Sequence, residues 1–198
     1  METLSPNNYY HIYNHANGSE NLFRTDENYL YFLKKYALHI SLIADTYAYC
    51  LLPNHFHLLV KIKEEDSLRK TFPKFETLEK LEYGISKQFS NFFSSYTQSY
   101  NKVYNRKGSL FIKNFNRKQV NSETYFSNLI HYIHHNPIHH GFGISPEDWP
   151  WSSYQSLISE KKTLLKKEET FSLFGSKEEF IQRHRLPIDP TFFNDYSY

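Results

Sequence analysis

The stretch LLPNHFHLLV, Leu51–Val60, sets two histidines one residue apart, His55 and His57, in a run that otherwise reads as buried strand. Successive side chains of a strand point to opposite faces, so His55, His57 and Leu59 project one way and Phe56, Leu58 and Val60 the other. Two imidazoles at i and i+2 on one face can reach a single ion. Two ligands do not complete a divalent site, so a third donor must come from another element. Alone, the pair reads as readily as hydrogen-bonded histidines on a half-wet sheet.

The third donor is sought in LIHYIHHNPIHHG, Leu129–Gly141. It carries five of the chain's 11 histidines (His131, His134, His135, His139 and His140), with Tyr132 and Asn136 among them. On a helix Tyr132 and Asn136 are i and i+4, a spacing that aims a phenol and a hard amide oxygen at one small volume. His131 and His135 have the same spacing and would suit zinc. A solvated, partly protonated helix end is a third reading. Periodicity leaves all three open.

The elements that must position these residues follow from pattern. YYHIYNH, from Tyr9, alternates as a strand, and NGSEN follows as a loop. TDENYLYFLKKYALHISLI has apolar residues at helical spacing behind a Thr25 or Asp26 cap. DTYAYCLL and HFHLLVKI form a hairpin about Pro53-Asn54. A charged loop near Lys63–Arg69 leads to a long helix over about Leu78–Tyr100. RKGSLF and FNRKQV read as short strand pieces. NSETYFSNLIHYIHH is a helix capped at Asn121 or Ser122 and stopped by Pro137. The expected class is α+β, an antiparallel sheet with helices packed on it in the ferredoxin-like manner. Residues 1–144 make the catalytic domain and 145–198 a short C-terminal extension.

Composition bounds the function. The 198 residues suffice for one domain with a good core, and the net charge of +2 is too small to name a partner. Charge distribution says more. Tyr83–Ser122 lacks Asp and Glu and holds Lys102, Arg106, Lys107, Lys113, Arg117 and Lys118 among Tyr and Phe residues. Cations for phosphates and rings for unpaired bases suit a single-stranded or hairpin DNA ligand. The one cysteine, Cys50, sits in an apolar run and reads as a buried inert thiol. METLSPNNYY lacks a secretory leader pattern, and no apolar run is long enough to span a bilayer. The expected location is the cytoplasm, with no membrane partner.

Taken together these segments resemble a known family. LLPNHFHLLV resembles the P-N-H-x-H-L motif of the REP-associated tyrosine transposases, relatives of the single-tyrosine HUH transposases of insertion sequences. YIHHNPIHHG resembles their Y-I-H-x-N-P-x-x-x-G segment. YYHIYNHANGSENLF, RKGSLFIKNF and WPWSSY are similar to further marks in the family's order, across most of Tyr9–Tyr154. The resemblance implies the HUH ferredoxin-like fold, His55, His57 and Asn136 as ligands of Mg²⁺ or Mn²⁺, and Tyr132 as nucleophile. It also implies a DNA transposase acting on single-stranded DNA beside palindromic hairpins, through a 5′-phosphotyrosine that releases a 3′-hydroxyl. Members of the broader class form homodimers; the sequence itself leaves monomer or dimer open. Two departures touch DNA affinity. His15 stands where relatives often carry Arg in N-R-G-N, and His139 and His140 where they often carry Arg in N-P-x-R-A-G. Two competing readings are a hairpin-binding protein of this fold with little or no cleavage, and a zinc hydrolase built on His131 and His135.

Overall fold

The computed structural model describes residues 2–188. Aromatic and β-branched residues pair as strands β1 (Tyr9–His15), β2 (Ala44–Leu52), β3 (His55–Ile62) and β4 (Asn116–Val120). All pairings are antiparallel, and the order across the sheet is β2-β3-β1-β4. Pro53-Asn54 is the two-residue turn between β2 and β3. Helix α1 (Asp26–Ile40) carries the chain from β1 to β2. Helices α2 (Glu65–Thr71) and α3 (Leu78–Val103) lie between β3 and β4. This is the ferredoxin-like α+β arrangement the sequence pattern anticipates.

One face of the sheet packs against α1 and α3. Tyr10, Ile12, Leu51, Phe56, Leu58 and Val60 meet Phe32, Phe89 and Phe92 there. Much of the phenylalanine surplus is thus core, with edge-on packing such as Phe32 on Phe92 at 4.8 Å. Helix α4 (Glu123–His139) closes the other face over Ala48, Cys50, Leu52 and Leu59. β3 is therefore covered on both sides, and the half-wet sheet considered for its histidines is not what forms.

Three local expectations change. The charged loop near Lys63 is largely the short helix α2, acidic in its first turn and basic in its last, with Arg69 bridged to Glu65. RKGSLF forms no strand; Phe111 makes an isolated bridge to Ala16. Ser122 does cap α4, accepting from Tyr125 N–H, but the helix runs past Pro137 to His139. It ends at Gly141, whose positive φ of 74° lets Phe142 N–H reach Pro137 O and Gly141 N–H reach Ile138 O. Pro137 sits in the last turn, so it removes one intrahelical bond without stopping the helix.

The C-terminal segment belongs to the same cores. Trp149–Ser153 runs along the outer edge of β2: Leu51 N–H donates to Trp151 O at 3.0 Å and Ser153 N–H to Tyr49 O at 2.9 Å. The Trp149 indole N–H donates to Leu51 O at 2.8 Å, and Trp151 stacks on Tyr29 at 4.5 Å. An exposed edge strand is thereby covered, which gives WPWSSY its structural reason. Helices α5 (Tyr154–Ile158), α6 (Lys167–Phe174) and α7 (Lys177–His184) then add Tyr154, Leu157 and Phe180 to the core beneath α4.

A buried polar chain ties this segment to α4. His184 Nδ1 is 2.7 Å from Phe180 O, which can only accept, so Nδ1 carries the proton. His134 Nδ1 must then donate to His184 Nε2 at 2.8 Å, and the Ser153 hydroxyl to His134 Nε2 at 2.8 Å. Ser153 Oγ in turn accepts from Tyr49 N–H at 2.9 Å. Every donor in the chain has a direction, and both rings are neutral. Burial holds His134 and His184 well below the usual histidine range and His131 at about 3. Unfolded, these rings take up protons near 6.5; folded, they do not until far lower. Stability is thus full above about pH 6.5 and falls as pH drops below it, by up to about 1.4 kcal/mol per histidine per pH unit. Urea midpoints measured at pH 7, 6 and 5 are expected to fall steeply; a midpoint constant over that range would contradict the neutral buried rings.

Candidate active site

Strand register sets the site. Across β1 and β3, His55 faces His15, His57 faces Tyr13 and Leu59 faces His11. Cys50 lies beside His57 on β2, and Lys118 beside His11 on β4. Residues paired in register share a face, so these side chains form one patch, and α4 lies across its β2–β3 side. The Tyr132 ring meets the His57 ring edge-on at 5.4 Å. Asn136, one turn on, brings Oδ1 to 3.0 Å from His55 Nε2. Tyr132, His55, His57 and Asn136 therefore converge, all buried, with Tyr132 3% and His57 0% exposed.

Burial governs their protonation. It pushes the Tyr132 phenol above its ordinary range, opposed by a side-chain hydrogen bond with Asn136. It pushes His55 down to about 4, against the bond to Asn136 and with His140 and His15 adding to the fall. His55 is thus neutral and owns one N–H. Its Nδ1 faces Asn54 Oδ1 at 2.8 Å and its Nε2 faces Asn136 Oδ1 at 3.0 Å. One proton serves one oxygen. With it on Nδ1, Nε2 and Asn136 Oδ1 meet lone pair to lone pair, an arrangement that a shared cation relieves. Two neighbouring ligands on an octahedral ion with bonds of about 2.1 Å stand about 3.0 Å apart. The donor set therefore fits a hard divalent ion. Among the described residues no group of three or more His, Cys, Asp or Glu side chains could hold a metal, so the amide oxygen of Asn136 is essential to such a site.

The zinc alternative fails on geometry. His131 Nε2 contacts Leu186 O at 3.1 Å and His135 Nδ1 contacts His131 O at 3.1 Å. Together with His134 they turn into the core against α7 rather than toward a shared ion. Sequence reasoning missed His11, wholly buried, whose Nε2 lies 2.9 Å from His57 Nδ1. Its signal was in YYHIYNH, where His11, Tyr13 and His15 repeat the i, i+2 spacing of the HFH pair. His15, one departure from the family pattern, and His140, which with His139 makes the other, both stand against His55, at ring distances of 5.8 and 4.9 Å.

The six cations do not form one surface. Lys118 shares the histidine face. Its neighbour Arg117 points the other way, toward α3, donating to Ser86 Oγ at 2.8 Å and lying over Phe115. Lys113 and Arg117 line a cleft of about 490 Å³ between α3 and the segment before β4. Lys102 lies at the far end of α3, exposed, as is Lys107 in the loop beyond. Arg106 is bound into that loop by Glu20 at 2.8 Å, Asn101 at 2.9 Å and Ser109 O at 2.8 Å. Arg106→Ala is expected to lower Tm by about 2–4 °C, whereas Lys107→Ala leaves it unchanged; thermal melts of both variants decide.

Comparison with known proteins agrees with this architecture. No family model matches the chain. Its sequence is 27% identical over 113 residues to a Haemophilus influenzae protein assigned to the REP-associated tyrosine transposases; the match covers 56% of this chain and 58% of that protein, under two thirds of its length. The fold matches a solved structure of a REP-associated tyrosine transposase bound to a REP hairpin, with a TM-score of 0.53 at 18% identity, over 81% of this chain and 84% of that one. Among the described residues no helix is long and apolar enough to cross a membrane.

Proposed function

We infer that this chain is a member of the REP-associated tyrosine transposase family, which its resemblance to DNA-hairpin transposases supports, and that it binds hairpin DNA and cleaves a single strand beside the hairpin with Tyr132 as nucleophile. The observation that carries this reading is the meeting of Tyr132 and Asn136, one turn apart on α4, with His55 and His57 on β3. His55, His57 and Asn136 would hold Mg²⁺ or Mn²⁺. Bound there, the ion would neutralise a non-bridging phosphate oxygen of the substrate.

The chain's own residues account for the rest. Tyr132 Oη attacks phosphorus; the new O–P bond forms as the P–O3′ bond breaks. The 5′-phosphate stays on Tyr132 and the departing 3′ oxygen ends as a hydroxyl, gaining a proton as the phenol loses one. With Oδ1 of Asn136 turned to His55, its amide N–H₂ is the end that faces the phenol. A donor there stabilises the growing phenolate and opposes the burial that keeps Tyr132 protonated at rest. α4 and the C-terminal segment cover the β2 side, so DNA approaches over β1 and β4, past half-buried Tyr13 and exposed Lys118. Tyr13 offers a ring for an unpaired base and Lys118 a cation for a phosphate.

The test is a covalent protein–DNA adduct on a denaturing gel, formed with a hairpin carrying an unpaired flank and Mn²⁺. Tyr132→Phe is expected to reduce adduct formation by at least about a thousandfold; an adduct that persists places the nucleophile elsewhere. Wild-type protein that binds hairpins and forms no adduct would instead be a hairpin-binding protein of this fold. Lys118→Ala is expected to weaken binding and lower the salt slope of log K by about one, while Lys102→Ala, remote from the histidine face, leaves the slope unchanged. Titrations at several salt concentrations separate the two.

A further inference from the structure

We propose that His11 is a positioning residue that holds the proton of His57 on Nδ1, so that His57 presents Nε2 to the active-site cation. The claim rests on the metal reading above and adds a residue to it. His11 stands on β1 within the covered face, its Nε2 2.9 Å from His57 Nδ1, with the two rings 20° from parallel. Tyr13 stacks against both rings, 4.6 Å from His11 and 5.9 Å from His57.

Both rings are wholly buried, and a 2.9 Å contact between two ring nitrogens needs a proton on one of them. One proton is therefore shared in the bond, and two arrangements exist. If His11 donates, His57 carries its own proton on Nε2 and cannot ligate. If His57 donates, Nε2 keeps its lone pair and His11 carries its proton on Nδ1. The second arrangement also matches the other histidine ligand. His55 turns Nδ1 to the Asn54 side-chain oxygen at 2.8 Å, the shorter of its two contacts with amide oxygens and an acceptor for a proton on that same nitrogen. Each of the two strand histidines thus has an acceptor set against Nδ1, one from the β2–β3 turn and one from β1. Such partners fix ring orientation and ligand basicity in metal sites, and their loss commonly weakens metal affinity 10–100-fold.

The experiment uses the full chain and Mn²⁺ alone. Long-range ¹H–¹⁵N spectra of ¹⁵N-histidine protein read the tautomer of His57 directly, and calorimetry reads Mn²⁺ affinity. Wild type is expected to show His57 protonated on Nδ1. His11→Phe, which keeps a ring and removes the acceptor, is expected to bind Mn²⁺ about 10–100-fold more weakly, and His11→Gln, which restores an acceptor oxygen, to stay within a few-fold of wild type. A wild-type His57 protonated on Nε2, or His11→Phe binding Mn²⁺ as wild type does, overturns the proposal. Should His11→Phe fail to fold, the wild-type spectrum decides. Wild-type protein that binds no Mn²⁺ would end the metal reading itself, and the tautomer would still show whether His11 sets the proton of His57.

Discussion

The seating of α4 across β2 and β3 is what makes the site possible, because it buries the histidine face of a strand that is already buried on its other side. A strand in that position ordinarily carries continuous apolar side chains. Here two imidazoles occupy it, and each buried polar nitrogen must find a partner or raise the cost of folding. The β2–β3 turn supplies part of the answer through Asn54, 2.8 Å from His55, and the neighbouring strand supplies another through His11, 2.9 Å from His57, while α4 sets Asn136 3.0 Å from the other nitrogen of His55. The contact that closes the core is thus also the contact that brings Tyr132 and Asn136 to the strand histidines, and it keeps Tyr132 out of bulk water in the same step.

Such a helix has to be held accurately, since a shift of 1 Å would part Asn136 from His55. The C-terminal segment does the holding. Its first part pairs along β2 and its last part packs under α4, and the chain from Tyr49 through Ser153 and His134 to His184 and Phe180 connects strand, helix and extension by directed hydrogen bonds. The histidines of α4 that do not face the strand pair therefore have work of a different kind. His134 locks the rear of the helix whose front carries Tyr132 and Asn136.

How much of this was legible in the sequence varies with the physics that decides it. Period-2 and period-3.6 patterns located β1–β3, α1, α3 and α4, and the i, i+4 spacing of Tyr132 and Asn136 survives in the structure because it depends only on helix geometry. What failed depends on long-range contact or on end chemistry. Pro137 was read as a stop, yet the end of α4 is made by Gly141, whose left-handed backbone closes the last carbonyls. The helices after Ser153 are short and take their stability from packing on α4, so local pattern gave little notice of them. The His131–His135 spacing is as good as that of Tyr132 and Asn136, but which face of a helix meets the sheet is a tertiary fact. His11 was passed over for the same reason: its partner is 46 residues away.

The substitution at His15 acquires a meaning only from its position. Its ring stands against His55, where an arginine would place a permanent charge beside a residue that the proposed reading makes a metal ligand. His15 Nδ1 lies 2.7 Å from Ala16 O and so spends its proton on the backbone. With that N–H turned to the backbone, the grip that arginine gives elsewhere in the resembled family has to come from other groups. Of the six cations singled out, Lys118 is the one set in register on this face, and Arg106 and Arg117 are engaged within the fold. On the proposed reading, DNA held at this site leans on few phosphate contacts and on the rings of Tyr13 and its neighbours, so stacking on unpaired bases carries a larger share of recognition than the basic composition of the Tyr83–Ser122 stretch implies.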